Sequence, residues 1–343
     1  MNHFNRRKFC KLVGVSAVQI SVAGLLSSCS KGTSARVVIV GGGFGGATCA
    51  KYLLRFDSSL QITLVEPSEK YMTCPFSNMV IADVQALDSI SHGYSAQQQR
   101  GVEVIHAKVQ AVDATVKMVA LDNGEVIHYD KLVLSPGIDF KWGAVEGMSA
   151  SDAELIPHAW RAGRQTSILR DQLKSMDDGG VVVVAPPDNP YRCPPGPYER
   201  ISLIAHYLKM HKPKSKVLVL DAKDTFSKQS LFQQGWKELY PGMVEWVGGS
   251  SGGRIDEVDV ATRTLHTESG DTHEADVINL IPPQKAGEVA ITSGFSNEDG
   301  WCPVDQRTFE SEVHKDVYII GDACIAGKMP KSGFAANSQG KVC

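Results

Sequence analysis

The sequence has no pair of cysteines in CxxC spacing, although eight cysteines occur among its 343 residues. Zinc sites built from closely spaced cysteines are therefore not predicted, and we expect no metal centre. An excess of charge of one sign is also missing, since the formal net charge is −3. This balance gives no reason to expect nucleic acid as a partner. Internal repeats and low-complexity tracts are absent as well, so the composition is that of an ordinary globular protein.

The N-terminal region lacks the long apolar run that a membrane span needs. Leu12 to Ser30 carries no charge, but serine, glycine and glutamine dilute its hydrophobicity. A spanning helix needs about 20 strongly apolar residues. The preceding segment, Asn5 to Lys11, has a twin-arginine pattern. We therefore predict that residues 1–33 are a cleaved twin-arginine signal peptide and that the mature protein is periplasmic. A disordered basic N-terminus is the alternative interpretation.

The end of this segment matches a lipoprotein processing box, Leu26-Ser27-Ser28-Cys29. Lipidation at Cys29 would tether the mature protein to a membrane surface, whereas a chance match would leave it untethered, and both interpretations stay open. Roughly 310 residues remain after the signal, which is enough for two domains. An exported protein can keep disulfides, but cysteine spacing does not show which residues pair.

The first domain begins with a pattern typical of dinucleotide binding. Its predicted elements are a strand at Arg36–Val40, a glycine-rich loop at 41–46, a helix at Ala47–Leu54 and a strand at Gln61–Val65. Gly41, Gly43 and Gly46 fill the GxGxxG positions, which permit a tight turn, a close pyrophosphate and helix packing. Glu66 follows the second strand, where a carboxylate accepts hydrogen bonds from a ribose hydroxyl. The alternative is a glycine-rich turn that binds nothing.

Two later segments favour a flavin over NAD in this domain. Tyr129 to Gly137 is predicted as a buried strand that ends in a tight turn, after a hairpin-like stretch from Val109 to Ile127. Val317 to Ala323 is predicted as a strand that delivers Asp322 at its carboxyl end. This aspartate resembles the one that binds the ribityl chain in flavoproteins with two dinucleotide-binding domains. A helix predicted at Ala335–Val342 would direct its positive end toward a reduced flavin, and helix capping is the alternative role for the aspartate.

The second domain lacks the glycine-rich loop that NADH binding needs. Its predicted elements are a helix at Ala159–Met176, a strand at Gly180–Ala185, a helix at Tyr198–Met210 and a strand at Lys216–Leu220. Between the first strand and the second helix, Pro186 to Pro197 contains one glycine and several prolines. Each proline removes an N–H donor that a pyrophosphate would use. The second domain is therefore predicted to keep the Rossmann-like fold but not to bind a nucleotide.

Together these motifs closely resemble those of the flavoprotein subunit of flavocytochrome c sulfide dehydrogenase, a relative of sulfide:quinone reductases and disulfide reductases. The motifs that carry the resemblance are Val40–Thr48, Tyr71–Cys74, Arg192–Arg200, Ala275–Gln284, Gly300–Asp305 and Gly321–Ile325. Those around Cys74 and Cys193 are quite specific, and the others are shared more widely. The resemblance implies an α/β fold with two Rossmann-like, three-layer dinucleotide-binding domains of the glutathione-reductase type.

The resemblance also implies roles for individual residues. Cys74 matches the cysteine that is linked through sulfur to the flavin 8α-methyl, so a covalent FAD is expected. Cys193 matches one half of a redox-active disulfide beside the flavin, and Glu199 matches an acid suited to proton transfer. The other expected flavin contacts are Gly41, Gly43, Phe44, Gly45, Gly46, Glu66, Pro67, Val109, Pro136, Gly137 and Asp322.

Each of these three roles has a plainer alternative. Cys74 would otherwise be a buried free thiol, and Cys193 would belong to a structural disulfide. Glu199 would be a first-turn carboxylate that the helix dipole favours. Three further cysteines lack a chemical context and are predicted to be buried, namely Cys49, Cys302 and Cys324.

The implied reaction is the oxidation of hydrosulfide to elemental sulfur or polysulfide. Hydrosulfide attacks the disulfide that contains Cys193 and forms a persulfide, at a rate that depends on which sulfur is accessible. The electrons pass through FAD to haem in a cytochrome c subunit. Two alternatives remain, a sulfide:quinone oxidoreductase and a non-catalytic subunit that binds flavin or carries sulfur. An NADH dehydrogenase is disfavoured by the proline-rich segment.

The predicted domain boundaries follow from these assignments. The signal covers 1–33, the FAD-binding domain covers 34–150 and 285–343, and the second Rossmann-like domain covers 151–284. The sequence ends at Cys343, inside the helix expected after the aspartate motif. The resemblance places the partner of Cys193 and a C-terminal interface domain beyond this point, so we expect a truncated sequence that lacks both. Cys343 is a testable substitute partner.

Overall fold

The computed structural model describes residues 34–343, so the predicted signal, with Cys10 and Cys29, lies outside the described residues. The described chain packs as two compact units. The first unit comprises the described residues up to 71, residues 93–139 and residues 285–343. The second comprises residues 72–92 and 140–284. The predicted domains share the junction after residue 284 with these units, but they place residues 72–92 and 140–150 in the FAD-binding domain.

Strands and helices alternate along much of the described chain. The strands, in chain order, are β1 (Arg36–Val40), β2 (Gln61–Val65), β3 (Lys70–Met72), β4 (Ser91–Gly93), β5 (Glu103–Ile105), β6 (Val109–Asp113), β7 (Met118–Leu121), β8 (Val126–His128), β9 (Lys131–Leu134), β10 (Ile138–Phe140), β11 (Val181–Ala185), β12 (Lys216–Leu220), β13 (Val244–Val247), β14 (Ile255–Asp259), β15 (Thr264–Thr267), β16 (Thr272–Glu274), β17 (Val277–Leu280), β18 (Gln284–Ala286), β19 (Cys302–Pro303), β20 (Val317–Ile319) and β21 (Cys324–Ile325). The helices are α1 (Phe44–Phe56), α2 (Ser77–Ile81), α3 (Ser95–Gln98), α4 (Arg164–Ser175), α5 (Gly196–His211), α6 (Gln229–Leu239), α7 (Glu288–Thr292) and α8 (Gly333–Val342).

The first unit is built on a five-stranded sheet with the strand order β20-β9-β1-β2-β5. Every strand pair in this sheet is parallel. The central strands are runs of buried valine, isoleucine and leucine, because helices cover such a sheet on both faces. Val40, at the end of β1, pairs with Val65 and with Leu134, at the ends of β2 and β9. The loops that follow these strands therefore lie along one edge, where α/β sheets bind their ligands.

Small residues let α8 pack closely on α1 in this unit. A Cβ at Gly340 would lie 2.6 Å from the carbonyl oxygen of Gly45, so a side chain there would clash with backbone. Asn337 Nδ2 donates a hydrogen bond of 2.9 Å to Thr48 Oγ1 across the same helix pair. The start of α1 is therefore held against the last helix. An antiparallel sheet, β6-β7-β8, also belongs to this unit and corresponds to the predicted hairpin-like stretch.

The second unit contains a four-stranded parallel sheet with the order β13-β12-β11-β17. Its β11 consists of four valines and an alanine, and the residues from Val182 to Ala185 are buried. Helix α2, which belongs to the inserted segment 72–92, packs on α4 and α5 through Ile81. A second antiparallel sheet, β14-β15-β16, lies in the same unit. Both units thus have the parallel sheets and flanking helices of the predicted α/β class, which is confirmed.

One predicted helix boundary is wrong. The sequence pattern placed a helix from Ala159, but α4 begins at Arg164. Ala159 and Gly163 have φ values of +47° and +140°, which a helix does not accommodate. The backbone N–H of Trp160 donates to His158 Nδ1 at 2.9 Å instead of joining a helical ladder. Residues 158–163 therefore form a loop, which contributes to the site described below.

No helix within residues 34–343 has the length and apolar character of a membrane span. Within the same range, no cluster of histidine, cysteine, aspartate or glutamate side chains is arranged to hold a metal ion.

Candidate functional site

The glycine-rich loop of the first unit leaves no room for a side chain at two of its three GxGxxG glycines. Gly41 has a φ of +96°, and a Cβ there would lie 2.2 Å from the carbonyl oxygen of Ser135. At Gly46 a Cβ would lie 1.9 Å from the carbonyl oxygen of Gly41. Gly43 is different, because a Cβ there would meet only the Tyr71 ring at an ordinary 3.5 Å. The chain itself does not require glycine at this position, which agrees with the close approach of a ligand.

Glu66 lies directly at this loop. Its Oε2 accepts a hydrogen bond of 2.8 Å from the backbone N–H of Gly42, and its Oε1 accepts one of 3.0 Å from Ser68. Each carboxylate oxygen has a second lone pair, so a ribose hydroxyl can still be bound. Phe44, at the start of α1, contacts Tyr71 edge to face with a centroid distance of 5.7 Å. Pro67, which follows the glutamate, is exposed.

The remaining predicted flavin contacts also lie in the first unit. Val109 is buried at the start of β6, and Pro136 and Gly137 follow β9. Asp322 lies in a short 3-10 turn after β20, and its carbonyl oxygen accepts a hydrogen bond of 2.8 Å from Lys331 Nζ.

These residues fit an FAD molecule. The glycine-rich loop follows β1, Glu66 follows β2 and Asp322 follows β20. The carboxyl ends of these parallel strands lie at one edge of the sheet. The first-turn N–H groups of α1 have no partners within their own helix and are available to a pyrophosphate.

Cys74 lies in the second unit, in the turn that precedes α2. Its Sγ is approached by two N–H donors, the backbone of Ala162 at 3.3 Å and Arg192 Nη2 at 3.4 Å. The thiol in turn lies 3.5 Å from the carbonyl oxygen of Trp160. Loop 158–163 therefore supplies two of the three contacts. A half-buried sulfur with a guanidinium beside it is a chemically distinctive environment for a cysteine.

Cys193 lies in the same unit, immediately before α5. Its backbone has a φ of +58°, and its carbonyl oxygen accepts a hydrogen bond of 2.8 Å from Gly196. A Cβ at Gly196 would lie 3.0 Å from Cys193 Sγ, so glycine at this position leaves the sulfur room. Burial raises the pKa of the Cys193 thiol to about 11, with a further contribution from Glu199 and a smaller opposing one from Arg192. As a free thiol, Cys193 is therefore protonated at neutral pH.

Glu199 occupies the first turn of α5 and is exposed. Its Oε2 accepts a hydrogen bond of 2.7 Å from Asn78 Nδ2. The carboxylate is thus held by a buried amide while it remains open to solvent. Together with Cys74 and Cys193 it forms what we call the sulfur site. The structure brings these three predicted residues together within one unit, whereas the predicted flavin contacts other than Cys74 lie in the first unit.

Two buried residues near the sulfur site were not singled out from the sequence. Arg200 is only 1% exposed, although it carries a charge, and its guanidinium lies 4.8 Å from the Trp160 ring. His158 is 4% exposed, and its ring lies beside the Phe140 ring at an interplanar angle of 50° and a centroid distance of 4.2 Å. Burial, followed by the charges of Arg200 and two further arginines, lowers the pKa of His158 to about 3. The imidazole is therefore neutral and does not act as a base near neutral pH.

Asp221 was also missed, and it occupies the position where a Rossmann domain carries its ribose-binding acid, after the second strand. The side chain is fully buried. Its Oδ2 accepts hydrogen bonds from Tyr198 at 2.6 Å and Trp246 at 3.1 Å, and its Oδ1 accepts one from Lys223 at 2.7 Å. The carboxylate is therefore used inside the protein, which agrees with the predicted loss of nucleotide binding in this domain.

Two models of known protein families match this chain. The family model for the central part of the sulfide dehydrogenase (flavocytochrome c) flavoprotein chain matches residues 166–282. The pyridine nucleotide-disulphide oxidoreductase model matches residues 35–184. The sulfide dehydrogenase flavoprotein chain of Chlorobaculum thiosulfatiphilum is 64% identical over 45 residues, which cover 13% of this chain and 94% of that sequence. The mitochondrial sulfide:quinone oxidoreductase of Mus musculus is 22% identical over 325 residues, which cover 90% of this chain and 69% of the mouse protein.

Solved structures give the same fold. The sulfide:quinone oxidoreductase of Aquifex aeolicus superposes with a TM-score of 0.71 at 18% identity, over 90% of this chain and 75% of that chain. A putidaredoxin reductase in complex with putidaredoxin gives a TM-score of 0.72 at 16% identity, over 90% and 74%. The chain therefore belongs to the flavin-dependent pyridine nucleotide-disulphide oxidoreductase superfamily, among the sulfide-oxidising flavoproteins that include flavocytochrome c sulfide dehydrogenases and sulfide:quinone oxidoreductases.

Proposed function

We propose that this chain oxidises sulfide through Cys193 and passes the electrons by way of FAD to a cytochrome c subunit. The observation that carries the proposal is the sulfur site, in which two cysteines lie with Arg192 and Glu199 at the start of α5. A structural cysteine does not need a guanidinium and a carboxylate beside it. FAD, when bound, accepts electrons in pairs and releases them singly, which suits a haem acceptor.

Cys193 supplies the reacting sulfur in this proposal. Hydrosulfide attacks Cys193 Sγ within a disulfide that Cys193 forms with a second thiol. The new sulfur–sulfur bond to the substrate forms as the old one breaks, and the second thiol departs as a thiolate. A thiol of high pKa is a poor leaving group. The raised pKa of Cys193, about 11, therefore favours attack on its own sulfur and leaves the persulfide there.

Glu199 is the proposed acceptor of the proton that hydrosulfide still carries when it becomes the outer sulfur of the persulfide. Its carboxylate is exposed, so the proton can continue to water, and Asn78 fixes one of its oxygens. Cys74 is the proposed covalent attachment point for FAD through a thioether. Ala162 and Arg192 direct N–H groups at this sulfur, which keeps it in a defined place.

The direct test is anaerobic titration of the purified flavoprotein with sulfide, followed by flavin absorbance. We expect bleaching by about one equivalent, and we expect Cys193→Ser to reduce the bleaching rate by at least about a hundredfold, since the sulfur is the proposed reacting atom. Cys302→Ser is a matched control, because Cys302 is buried in the first unit, outside the sulfur site. Unchanged bleaching in the Cys193 variant would contradict the assignment.

A quinone acceptor is the second candidate. It is favoured by the match to sulfide:quinone oxidoreductases over 90% of the chain, whereas the family model of residues 166–282 favours the cytochrome partner. The two are separated by mixing sulfide-reduced protein either with a c-type cytochrome or with a water-soluble ubiquinone analogue. Reoxidation of the flavin by the cytochrome at the faster rate supports the proposal, and faster reoxidation by the quinone would overturn it.

Export to the periplasm is part of the same proposal. The twin-arginine pattern at residues 6 and 7 supports export. In this proposal the cytochrome c subunit lies in the same compartment. Replacement of both arginines by lysine should retain the protein in the cytoplasmic fraction, as measured by immunoblotting of cell fractions. An equal periplasmic yield from the lysine variant would contradict the assignment of the pathway.

A further inference from the structure

Helices α1 and α8 of the first unit pack side by side, and their contacts advance in the same direction along both. Near the start of each helix, a Cβ at Gly333 would lie 3.0 Å from the Phe44 ring. Further along, Lys341 Nζ lies 5.5 Å from the centroid of the Tyr52 ring. The two helices are therefore parallel, with the start of one beside the start of the other.

Gly340 brings the backbones of the two helices together. A Cβ at this position would lie 2.6 Å from the carbonyl oxygen of Gly45 and 3.1 Å from the backbone nitrogen of Cys49. Helices usually pack with their axes about 8–10 Å apart, whereas a disulfide needs two Cα atoms within about 4.4–6.8 Å of each other. A helix pair that meets through glycine is therefore an arrangement in which cysteines on the two helices can reach each other.

Cys343 follows Gly340 by one helical turn. Its backbone N–H donates to the carbonyl oxygen of Gln339 at 2.9 Å, so the helical ladder continues to this residue. Residues that are three apart in a helix lie on the same face. Because Gly340 packs against the backbone of Cys49 and the helices are parallel, Cys343 lies on the face of α8 that meets Cys49.

The side chains of Cys49 and Cys343 meet at this interface as free thiols. Cys49 is fully buried in α1, and Cys343 is half-buried at the end of α8. A hydrogen bond with the Cys343 thiol is the main cause that raises the pKa of the Cys49 thiol well above its ordinary value, and burial is the second cause. Cys49, for which the sequence offered no chemical context, thus has a sulfur atom as its neighbour.

We propose that Cys49 and Cys343 form a disulfide on oxidation, which links α1 covalently to α8. The inference goes beyond the proposed function and does not depend on the reaction at Cys193. It gives Cys343 a partner within its own unit, in place of the pairing with Cys193 that the sequence left to be tested. The oxidant is a protein or small-molecule disulfide, the class of oxidant that disulfide-forming compartments supply.

Cys343 is the entry point for the oxidant, because it is partly accessible to solvent and Cys49 is not. Its thiolate attacks the oxidant, and a mixed disulfide forms as the first oxidant thiol leaves. Cys49 then attacks the sulfur of Cys343, and its proton passes to the second oxidant thiol as this departs. The two protein thiols thereby lose two electrons and two protons, and the oxidant disulfide becomes two thiols.

The disulfide would fasten the helix that follows the glycine-rich loop. Helix α1 begins at Phe44, directly after Gly43, and α8 lies almost three hundred residues later in the chain. A covalent link between such distant segments stabilises the folded state, since it restricts the unfolded chain. We therefore expect the oxidised protein to melt about 5 °C above the reduced protein, and the amides of α1 to exchange their hydrogens more slowly.

The test locates the disulfide in the purified holoprotein. The protein is incubated either with oxidised glutathione or with a reducing dithiol, and it is then denatured, alkylated and digested with trypsin. Lysine or arginine residues separate Cys49, Cys193 and Cys343 in the sequence, so each lies in a different peptide. Mass spectrometry should find the peptides of Cys49 and Cys343 linked in the oxidised sample and separate in the reduced one.

Variants connect the link to stability. Cys49→Ala and Cys343→Ala each remove one of the two sulfur atoms, so the difference in melting temperature between oxidised and reduced protein should disappear in both. The double variant should behave like either single variant, because the two residues act as one unit. Cys302→Ala is the matched control: it removes another buried thiol of the first unit and should keep the difference.

Three results of the peptide analysis would overturn the inference. They are complete alkylation of both Cys49 and Cys343 after oxidation, a link from Cys343 to Cys193, and a glutathione adduct that persists on Cys343. All three are read from the wild-type protein, so they decide the question even if a variant does not fold. Because sulfide is not used, failure of the protein to oxidise sulfide would refute the proposed function and leave this inference standing.

Discussion

At Cys193, burial and the carboxylate of Glu199 both raise the pKa of the thiol, and Arg192 opposes them. Glu199→Gln removes a negative charge, so the thiolate becomes easier to form and the pKa of Cys193 should fall. Because Glu199 is exposed, water screens its charge, and we expect a decrease of about half a pH unit. The measurement is the pH dependence of Cys193 alkylation in the reduced protein.

Arg192→Gln provides the control of opposite sign. Its loss removes a positive charge that stabilises the thiolate, so the pKa of Cys193 should rise above the wild-type value of about 11. Shifts in the same direction for both variants would mean that disturbed packing, rather than charge, governs the thiol.

Single residues also show what the sequence could and could not reveal. Cys74 and Cys193 could be singled out as candidates because each lies in a distinctive local motif, and local motifs are visible in a sequence. Arg200 was missed because its partners, Asn78 and Asn279, are distant in the chain and meet it only after folding. Asp221 was missed for a similar reason, since the side chains that bond it belong to α5, to β13 and to the loop after β12.

At the level of elements, the tightest constraint is the start of α1. Gly46→Ala would place a Cβ 1.9 Å from the carbonyl oxygen of Gly41, so backbone must move. We expect a loss of about 1–3 kcal/mol in the free energy of unfolding, together with poorer flavin incorporation. Urea denaturation and the ratio of flavin to protein absorbance measure the two effects.

The same substitution at Gly235 is the matched control. A Cβ there meets no atom within 4 Å, and the residue lies inside α6, in the second unit. Replacement of a mid-helix glycine by alanine stabilises by about 1 kcal/mol. Gly235→Ala should therefore raise stability and leave flavin content unchanged, whereas an equal loss in both variants would contradict the steric argument at Gly46.

Strand positions were predictable and one helix boundary was not. Arg36–Val40, Gln61–Val65 and Lys216–Leu220 were predicted with the bounds that the structure has, because runs of branched apolar residues ended by polar ones are typical of buried strands. The helix expected from Ala159 begins only at Arg164. Its first residues are held in a loop by tertiary bonds, including those from Arg200 to the carbonyl oxygens of residues 158 and 159.

At the scale of the whole molecule, the division of residues between the two units determines where each candidate residue lies. Residues 72–92 carry Cys74 into the second unit, where Cys193 also lies, although the sequence motif placed this segment with the FAD-binding domain. Such an insertion cannot be inferred from local pattern, since it depends on the packing of α2 against α4 and α5. The proposed sulfur chemistry thus lies in the unit that lacks the predicted nucleotide-binding features.

That loss leads to a prediction about electron donors. The second Rossmann sheet has a proline-rich loop in place of a glycine-rich one, and Asp221 is bonded internally. We therefore expect millimolar NADH to leave the flavin oxidised under conditions in which sulfide bleaches it. Anaerobic absorbance spectra of the flavin are recorded after addition of each donor. Rapid bleaching by NADH would contradict this prediction and indicate a pyridine-nucleotide-dependent enzyme.

We propose a sulfide-oxidising flavoprotein whose FAD is bound covalently to Cys74. It is tested most directly by acid denaturation of the purified protein, followed by mass spectrometry of the peptide that contains Cys74, with Cys74→Ser as the control. We predict that yellow colour and a flavin-sized mass stay with that peptide and that the serine variant releases its flavin. Release of the flavin from the wild-type protein would contradict the covalent link and favour the quinone reductase or non-catalytic alternatives.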